Sequence, residues 1–175
     1  NSPNLFSYNS SNIKNMNIKP IFYTLEEWSF QLQTFIQSFI LVFCLFLFFK
    51  ISLLTNLLFY SWLPLLNLFI FIYWFPLLIC IISVRFNDFS QLVPIALQLI
   101  FLTSPILYRK ESLGSLEWIA NLNFIYQILD SLRVSIINGT INYQSSMFVL
   151  LSNLAFLLFT LRLLHTESKK LPFLL

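Results

Sequence analysis

The chain has 175 residues, of which 58% are hydrophobic and 10% charged, with a formal net charge of +3 and a mean hydropathy of +0.78. Soluble domains carry about 25% charged residues, so this composition excludes an ordinary soluble protein and indicates an integral membrane protein. The length suits one all-α domain of about four transmembrane helices, without a separate aqueous domain and without a nucleic-acid partner.

The choice of apolar residues also carries information, because 21 Phe stand against only two Gly. Phe, Ile, Asn, Tyr and Lys have AT-rich codons, which favours an AT-rich genome. A Phe-rich membrane protein from such a genome suggests the mitochondrial inner membrane, with the plasma membrane of an AT-rich bacterium as the alternative. The chain does not begin with Met, so we expect its true N-terminus to be trimmed or to lie upstream.

The sequence contains few residues that could bind a metal or a cofactor or catalyse a reaction. Cys44 and Cys80 lie in separate apolar runs without a CxxC spacing, and His165 is the single histidine, so we expect neither a metal site nor a haem held by two histidines. No GxxxxGK[ST] motif is present, so any ATP must be bound by another polypeptide. We therefore predict no catalytic residues, no cofactor and no enzymatic activity.

The N-terminal part predicts a polar segment followed by a first span. Residues 1–23 are rich in Asn and Ser, and Thr24 and Glu27 have the spacing of a capping box that would start a helix. The apolar run of about 28–49 contains three glutamines, whose amides are costly in hydrocarbon. They are expected to face other helices, with the lining of a polar path as the alternative.

The rest of a transmembrane domain spanning 24–164 reads as apolar runs separated by polar turns. Pro64 should lie near the start of the second span, whereas Pro76 should kink it. One further segment is too polar for a free span and predicts an interfacial or re-entrant helix. The predicted boundaries are about 57–84, 92–108 and 147–164 for the spans, about 115–137 for the interfacial helix, and 165–175 for a C-terminal tail.

The distribution of basic residues predicts the orientation. Four spans place the N-terminal segment, the loop at Arg85 and the C-terminal tail on one side of the membrane, with six basic residues against four on the other. The positive-inside rule then places both termini in the cytoplasm or the mitochondrial matrix.

An ordered set of motifs resembles one family. Arg85 and Asp88 form an R-x-x-D loop, a proline-broken span ends with Ser104, Pro105 and Tyr108, and a Leu-Asn pair at Asn123 is followed ten residues later by Arg133. This order resembles the C-terminal two-thirds of type-2 ABC exporter permeases, nearest to those that export polysaccharide or teichoic acid. The chain departs from that pattern in having Phe124 where the family's turn has proline, and in its scarcity of glycine.

The resemblance implies roles for two groups of residues. Asn12, Ile13 and Lys14 would lie in the loop that contacts the ATPase, and Arg85 with Asp88 would pair at the mouth of the permease. An exposed helix-end pair contributes only about 0–1 kcal/mol to stability, so the pair suits a structural role as well as a gating role.

Two classes of function follow, and a third is weaker. The chain is either part of an exporter permease, or a structural subunit that inherited this fold in a larger membrane assembly such as a respiratory complex. For the first class the expected partners are membrane lipids, a separate ATP-binding subunit and a fragment that supplies the family's other spans; for the second, they are other hydrophobic subunits. A redox subunit that binds quinone or haem has only His165 and scattered Tyr and Arg in its favour.

Overall fold

The structure is a computed structural model that describes residues 2–15, 18–86, 88–103, 123–168 and 170–171. All secondary structure in these ranges is helical, which confirms the predicted all-α fold. A 3₁₀ turn at Ser2–Asn4 is followed by α1 (Leu5–Tyr8), α2 (Ser10–Asn15), α3 (Pro20–Phe49), α4 (Ile51–Tyr60), α5 (Trp62–Arg85), α6 (Phe89–Thr103), α7 (Phe124–Asn138) and α8 (Tyr143–Ser168).

Within the described ranges, three helices are long and apolar enough to cross a membrane: Pro20–Leu45 within α3, then α5 and α8. Each has at least 24 residues, whereas a span needs about 20. Two shorter apolar helices are Ile51–Tyr60 and Phe89–Leu102. The second of these falls on the predicted span of 92–108, of which 104–108 lies outside the described residues.

The first span begins earlier than the capping box predicted. α3 starts at Pro20, and Thr24 lies inside it as a buried residue whose hydroxyl donates a hydrogen bond to the carbonyl of Ile21 at 2.8 Å. Proline suits the first helical position because its fixed φ matches a helix and its missing N–H has no intrahelical partner there. The capping-box prediction at Thr24 and Glu27 is therefore wrong.

The second predicted span is two helices rather than one. α4 ends at Tyr60 and α5 begins at Trp62, with Ser61 between them at φ −101° and ψ 0°. Pro64 lies in the first turn of α5, where the lack of an N–H costs nothing, and Pro76 lies inside α5. Ser61 is fully buried, and its hydroxyl lies 3.4 Å from the carbonyl of Asn56.

The predicted interfacial helix is described only in its second half, since 115–122 lies outside the described residues. α7 begins after Asn123, whose side-chain oxygen accepts hydrogen bonds from the amides of Ile125 and Tyr126 at 3.1 and 3.2 Å. It ends at Gly139, whose φ of 64° is left-handed. An asparagine N-cap and a glycine C-cap are preferred helix ends.

The described residues divide into two compact units. The first contains Asn1–Ile40, Ile70–Pro94 and Leu154–Leu175, and the second contains Leu41–Phe69 and Ile95–Asn153. The core of the first unit joins the short N-terminal helices, the C-terminal half of α5 and the end of the chain. Its buried residues are Phe6, Ile13, Tyr23, Leu77, Cys80, Ile81, Leu164 and Leu171.

In the second unit, α4 packs against α7. The side-chain amide of Asn56 donates to the carbonyl of Ile136 at 3.1 Å. Asn67 is fully buried and donates to the carbonyl of Ser146 at 3.0 Å, while Asn153, also fully buried, donates to the carbonyl of Asn67 at 3.2 Å. Such hydrogen bonds between membrane helices contribute about 0.6–2 kcal/mol each and fix the register of the helices.

Gly139→Ala should destabilise the chain by about 1–2 kcal/mol. A Cβ at this position would lie 2.7 Å from Oδ1 of Asn56, on a backbone that L side chains rarely adopt. The measurement is the unfolding midpoint of the purified protein in detergent. In an Asn56→Ala background, which lacks the contact, Gly139→Ala should cost less than in the wild type, because only the cost of the left-handed φ remains. Equal midpoints for the wild type and Gly139→Ala would contradict this prediction.

Candidate functional site

The three residues expected to contact an ATPase differ in how far their side chains are buried. Lys14 is exposed at the end of α2, and Asn12 is half-buried. Ile13 is only 5% exposed and packs in the core of the first unit with Phe6 and Leu171. A partner protein can therefore reach Lys14 directly, whereas Ile13 can act only by holding α2 against its own unit.

The charged residues at the ends of α5 and α8 in the first unit form a small ion-pair cluster. Nη1 of Arg85 lies 4.0 Å from Oε1 of Glu167, and Nζ of Lys170 lies 3.5 Å from the same oxygen. Glu167 is the least exposed of the three. Because two cations share one carboxylate, reversing the charge of Glu167 would place three positive groups together.

This cluster differs from the pair expected in the R-x-x-D loop. Among the described residues, the ion pair that Arg85 makes is with Glu167 of α8, and Asp88 is exposed before α6. Sequence reasoning missed Glu167 because its partner is some eighty residues away along the chain. The one available signal was the placement of Glu167 and Arg85 on the same predicted side of the membrane.

A polar cleft of about 660 Å³ lies in the second unit. It is formed by α7, the loop after Gly139 and the first turns of α8. Among the described residues of its lining, Asp130 is the one that carries a charge, and the other polar residues supply hydroxyl and amide groups that can both donate and accept hydrogen bonds. The polar lining consists of Tyr126, Gln127, Asp130, Ser131, Thr140, Asn142, Gln144, Ser145 and Ser146.

A second, much smaller cavity of about 20 Å³ lies in the first unit, between α3 and α5. Trp28 lines it, and the buried Nε1 of this residue has no hydrogen-bond partner among the described residues. Glu27 and Gln31 also line it, and the amide of Gln31 donates to the Glu27 carboxylate at 3.1 Å.

The positions that carried the family resemblance have different structural roles. Asn123 is the N-cap of α7, and Arg133 is exposed on the same helix. Ser104, Pro105 and Tyr108 lie outside the described residues. Of these positions, the two that the structure describes thus cap a helix and present a charge.

Long apolar helices, one capped polar helix between the last two of them and a charged end define a polytopic helical membrane protein. The family model for the ABC-2 type transporter matches residues 15–137, which is more than half of the chain. The chain belongs to the ABC-2 type transporter family. No curated protein and no solved structure matches it.

Proposed function

We propose that the chain is the membrane subunit of an ABC-type exporter and works with a separate ATP-binding subunit. The match of the ABC-2 type transporter model to residues 15–137 carries this proposal. These 175 residues contain no GxxxxGK[ST] motif, which agrees with ATP being bound by a separate subunit. In this arrangement the chain supplies the path through the membrane and contributes no catalytic group.

The surface proposed to meet the ATP-binding subunit is the exposed part of α1 and α2, around Tyr8 and Lys14. Tyr8 is strongly exposed, whereas the neighbouring Phe6 and Ile13 are buried in the unit that also contains Arg85 and Glu167. A rigid, well-packed segment can transmit a displacement, since the side chains beneath it cannot yield without disturbing the core. The previously proposed mouth residues, Arg85 and Asp88, would lie on this same side.

The polar cleft of the second unit is the proposed place where part of the cargo is held. Its hydroxyl and amide groups suit an uncharged part of the cargo that is rich in hydroxyl groups, and Asp130 disfavours a phosphate group at this place. For a permease of the polysaccharide and teichoic-acid export kind, the proposed cargo is amphiphilic or lipid-linked. Both termini would face the compartment that holds ATP, which is the cytoplasm of a bacterium or the matrix of a mitochondrion.

Affinity purification of the tagged chain from its native membranes tests the proposal. The expected result is an assembly in which peptide mass spectrometry finds a subunit with a Walker motif. The alternative, a structural subunit of a respiratory complex, would instead give haem and iron–sulfur subunits together with the absorption bands of haem. That second result would overturn the exporter proposal.

Lys14→Glu should weaken the association with the ATP-binding subunit about three- to thirtyfold, because it reverses an exposed charge on the proposed contact surface. The measurement is the amount of the ATP-binding subunit retained through washes of increasing salt concentration. Lys50→Glu is the matched control: Lys50 is also exposed but follows α3 on the opposite side of the predicted topology. Equal retention of the subunit by both variants would exclude this contact surface.

A further inference from the structure

The C-terminal part of α8, within the first unit, has a shallow recess of about 650 Å³ on its surface, which we term the α8 recess. Most of its lining residues recur every three or four positions, so they form one stripe along the helix. The deeper part of the stripe is apolar, and the part nearest the end of the helix is polar. The apolar part consists of Ala155, Leu158, Phe159 and Leu161, and the polar part of Arg162, His165 and Thr166.

The two basic residues of the α8 recess have no partner of opposite charge. Arg162 and His165 are exposed, and neither makes an ion pair among the described residues. Glu167, the carboxylate nearest to both in sequence, already lies beside two other cations. The hydroxyl of Thr166 donates to the carbonyl of Arg162 at 2.9 Å and is thus engaged with its own helix. The guanidinium and imidazole N–H groups therefore remain able to donate to an acceptor outside the chain.

The position of these two residues along α8 matches the depth of a lipid headgroup. α8 has 26 residues and is roughly 39 Å long, whereas the hydrocarbon core of a bilayer is about 30 Å thick. A centred helix thus leaves about 4–5 Å at each end outside the core. His165 lies about 4–5 Å before Ser168 and Arg162 about 9 Å before it. A long arginine side chain extends from that depth to the headgroups, so both cations reach the same level.

We propose that the α8 recess holds one anionic phospholipid of the leaflet on the side proposed for both termini. Its phosphate would lie between Arg162 and His165, and the first part of an acyl chain would pack against Leu158 and Phe159. Charge complementarity selects this occupant, since hydrogen bonds between cationic donors and phosphate oxygens are among the strongest in proteins. The cations lie at the interface and the apolar residues deeper, which is the order of the same groups in a phospholipid.

Two simpler explanations cover only half of the α8 recess. The negative end of the helix dipole favours cations in the last turns of α8, but it does not require an apolar recess beside them on the same face. An acidic segment of another protein would match the charges of Arg162 and His165 but not the apolar residues below them. A phospholipid satisfies both parts with one molecule.

The lipid is expected to be anionic and not zwitterionic. A choline or ethanolamine group would bring a third cation beside Arg162 and His165. Basic groups at the cytoplasmic or matrix end of membrane helices attract anionic headgroups, and the positive-inside rule places this end of α8 on that side. The site uses residues of α8 alone, so it does not depend on the proposed exporter function.

Native mass spectrometry of the purified chain in detergent tests the site, because it counts the lipids bound as phosphatidylglycerol is added. The wild type should bind one phosphatidylglycerol more tightly than phosphatidylcholine, and inorganic phosphate, which lacks an acyl chain, should not displace it at equal concentration. Arg162→Gln should weaken this binding about three- to tenfold, the effect of one basic residue near an anionic surface. Arg133→Gln is the matched control, since it makes the same change at an exposed arginine of α7 and should bind as the wild type does.

Ala155→Phe tests the apolar part of the α8 recess without changing a charge. A ring at this position fills the space for the acyl chain and should weaken the binding of phosphatidylglycerol about three- to tenfold. Leu154→Phe places the same ring on another side of α8, at a residue that is also exposed, and should leave the binding unchanged. Equal binding by these two variants would exclude an acyl chain in the recess.

Four further results would overturn the proposal. They are equal binding by the wild type and Arg162→Gln, equal affinity for phosphatidylcholine, displacement of the lipid by inorganic phosphate, and a protein in place of a lipid that the Arg162→Gln chain no longer retains. Without added lipid, the unfolding midpoint of Arg162→Gln should equal that of the wild type, because the side chain is exposed and forms no ion pair among the described residues. This comparison separates loss of lipid from loss of fold. A chain that binds phosphatidylglycerol but retains no ATP-binding subunit would contradict only the exporter function.

Discussion

Trp74→Ala is expected to destabilise the first unit by about 2–4 kcal/mol, the largest loss predicted for a single truncation. Trp74 is 5% exposed, and its ring stacks on Phe156 at a centroid distance of 4.8 Å with 14° between the planes. Phe71 and Phe75 meet the same indole edge to face, at 5.5 and 5.8 Å. Because lipid tails are as apolar as Phe, the loss comes from the cavity and the lost ring contacts and not from exposure to water.

The measurement is the midpoint of unfolding as denaturing detergent is added to the purified chain. Trp62→Ala is the matched control, since Trp62 is 51% exposed at the start of α5. Its shift of the midpoint should correspond to a loss of less than about 1 kcal/mol in the free energy of unfolding. Trp74→Phe should retain part of the stacking and fall between the two. Equal losses for Trp62→Ala and Trp74→Ala would show that the aromatic cluster does not stabilise this unit.

Asn67→Asp keeps the size of the side chain but should lower the free energy of unfolding by about 3 kcal/mol or more. Asn67 is fully buried, and its amide nitrogen donates to the carbonyl of Ser146. A carboxylate would have no proton to donate and would face that carbonyl oxygen. The existing Oδ1 already lacks a partner among the described residues, so the new charge would gain no compensating hydrogen bond.

The control for this change is Asn142→Asp, which makes the same chemical substitution at an exposed position. Asn142 accepts a hydrogen bond from the amide of Ser145 at 3.3 Å, at the start of α8. A negative charge at a helix N-terminus is favourable, so this variant should be neutral or slightly stabilised. Comparison of the two unfolding midpoints checks the prediction, and a tolerated Asn67→Asp would mean that the carboxyl group is protonated or reached by water at this position.

Much of the helical architecture followed from the sequence, because hydrophobicity and length dominate in a membrane. The run of apolar residues between Trp62 and Arg85 is long enough to predict a membrane-spanning helix whatever its neighbours are. The break at Ser61 was not predicted, although a serine before a helix and a proline in its first turn, here Ser61 and Pro64, are signals of a helix start. Proline at the first helical position is as good a start signal as a capping box, and Pro20 marks the beginning of α3 in this way.

The candidate site was less predictable than the fold. Asn67 is hydrogen-bonded to Ser146 and Asn153, which lie about eighty residues away along the chain, and no local sequence pattern predicts such a pairing. The seven-residue spacing of Ser146 and Asn153 shows only that both lie on one face of α8. Glu167 was predicted as part of a polar tail, whereas the structure pairs it with Arg85. Family resemblance placed Ile13 at a contact surface, whereas its side chain is buried. A resemblance in the order of residues does not show which side chains are buried.

The most direct test of the proposed function is whether the assembly purified through this chain hydrolyses ATP. The assembly purified through the tagged chain is placed in vesicles and its rate of ATP hydrolysis is measured, with Lys14→Glu and Lys50→Glu assemblies prepared in parallel. We expect the wild-type assembly to hydrolyse ATP, the Lys14→Glu assembly to do so at a clearly lower rate, and the Lys50→Glu assembly to keep the wild-type rate. An assembly that hydrolyses no ATP and carries haem would contradict it.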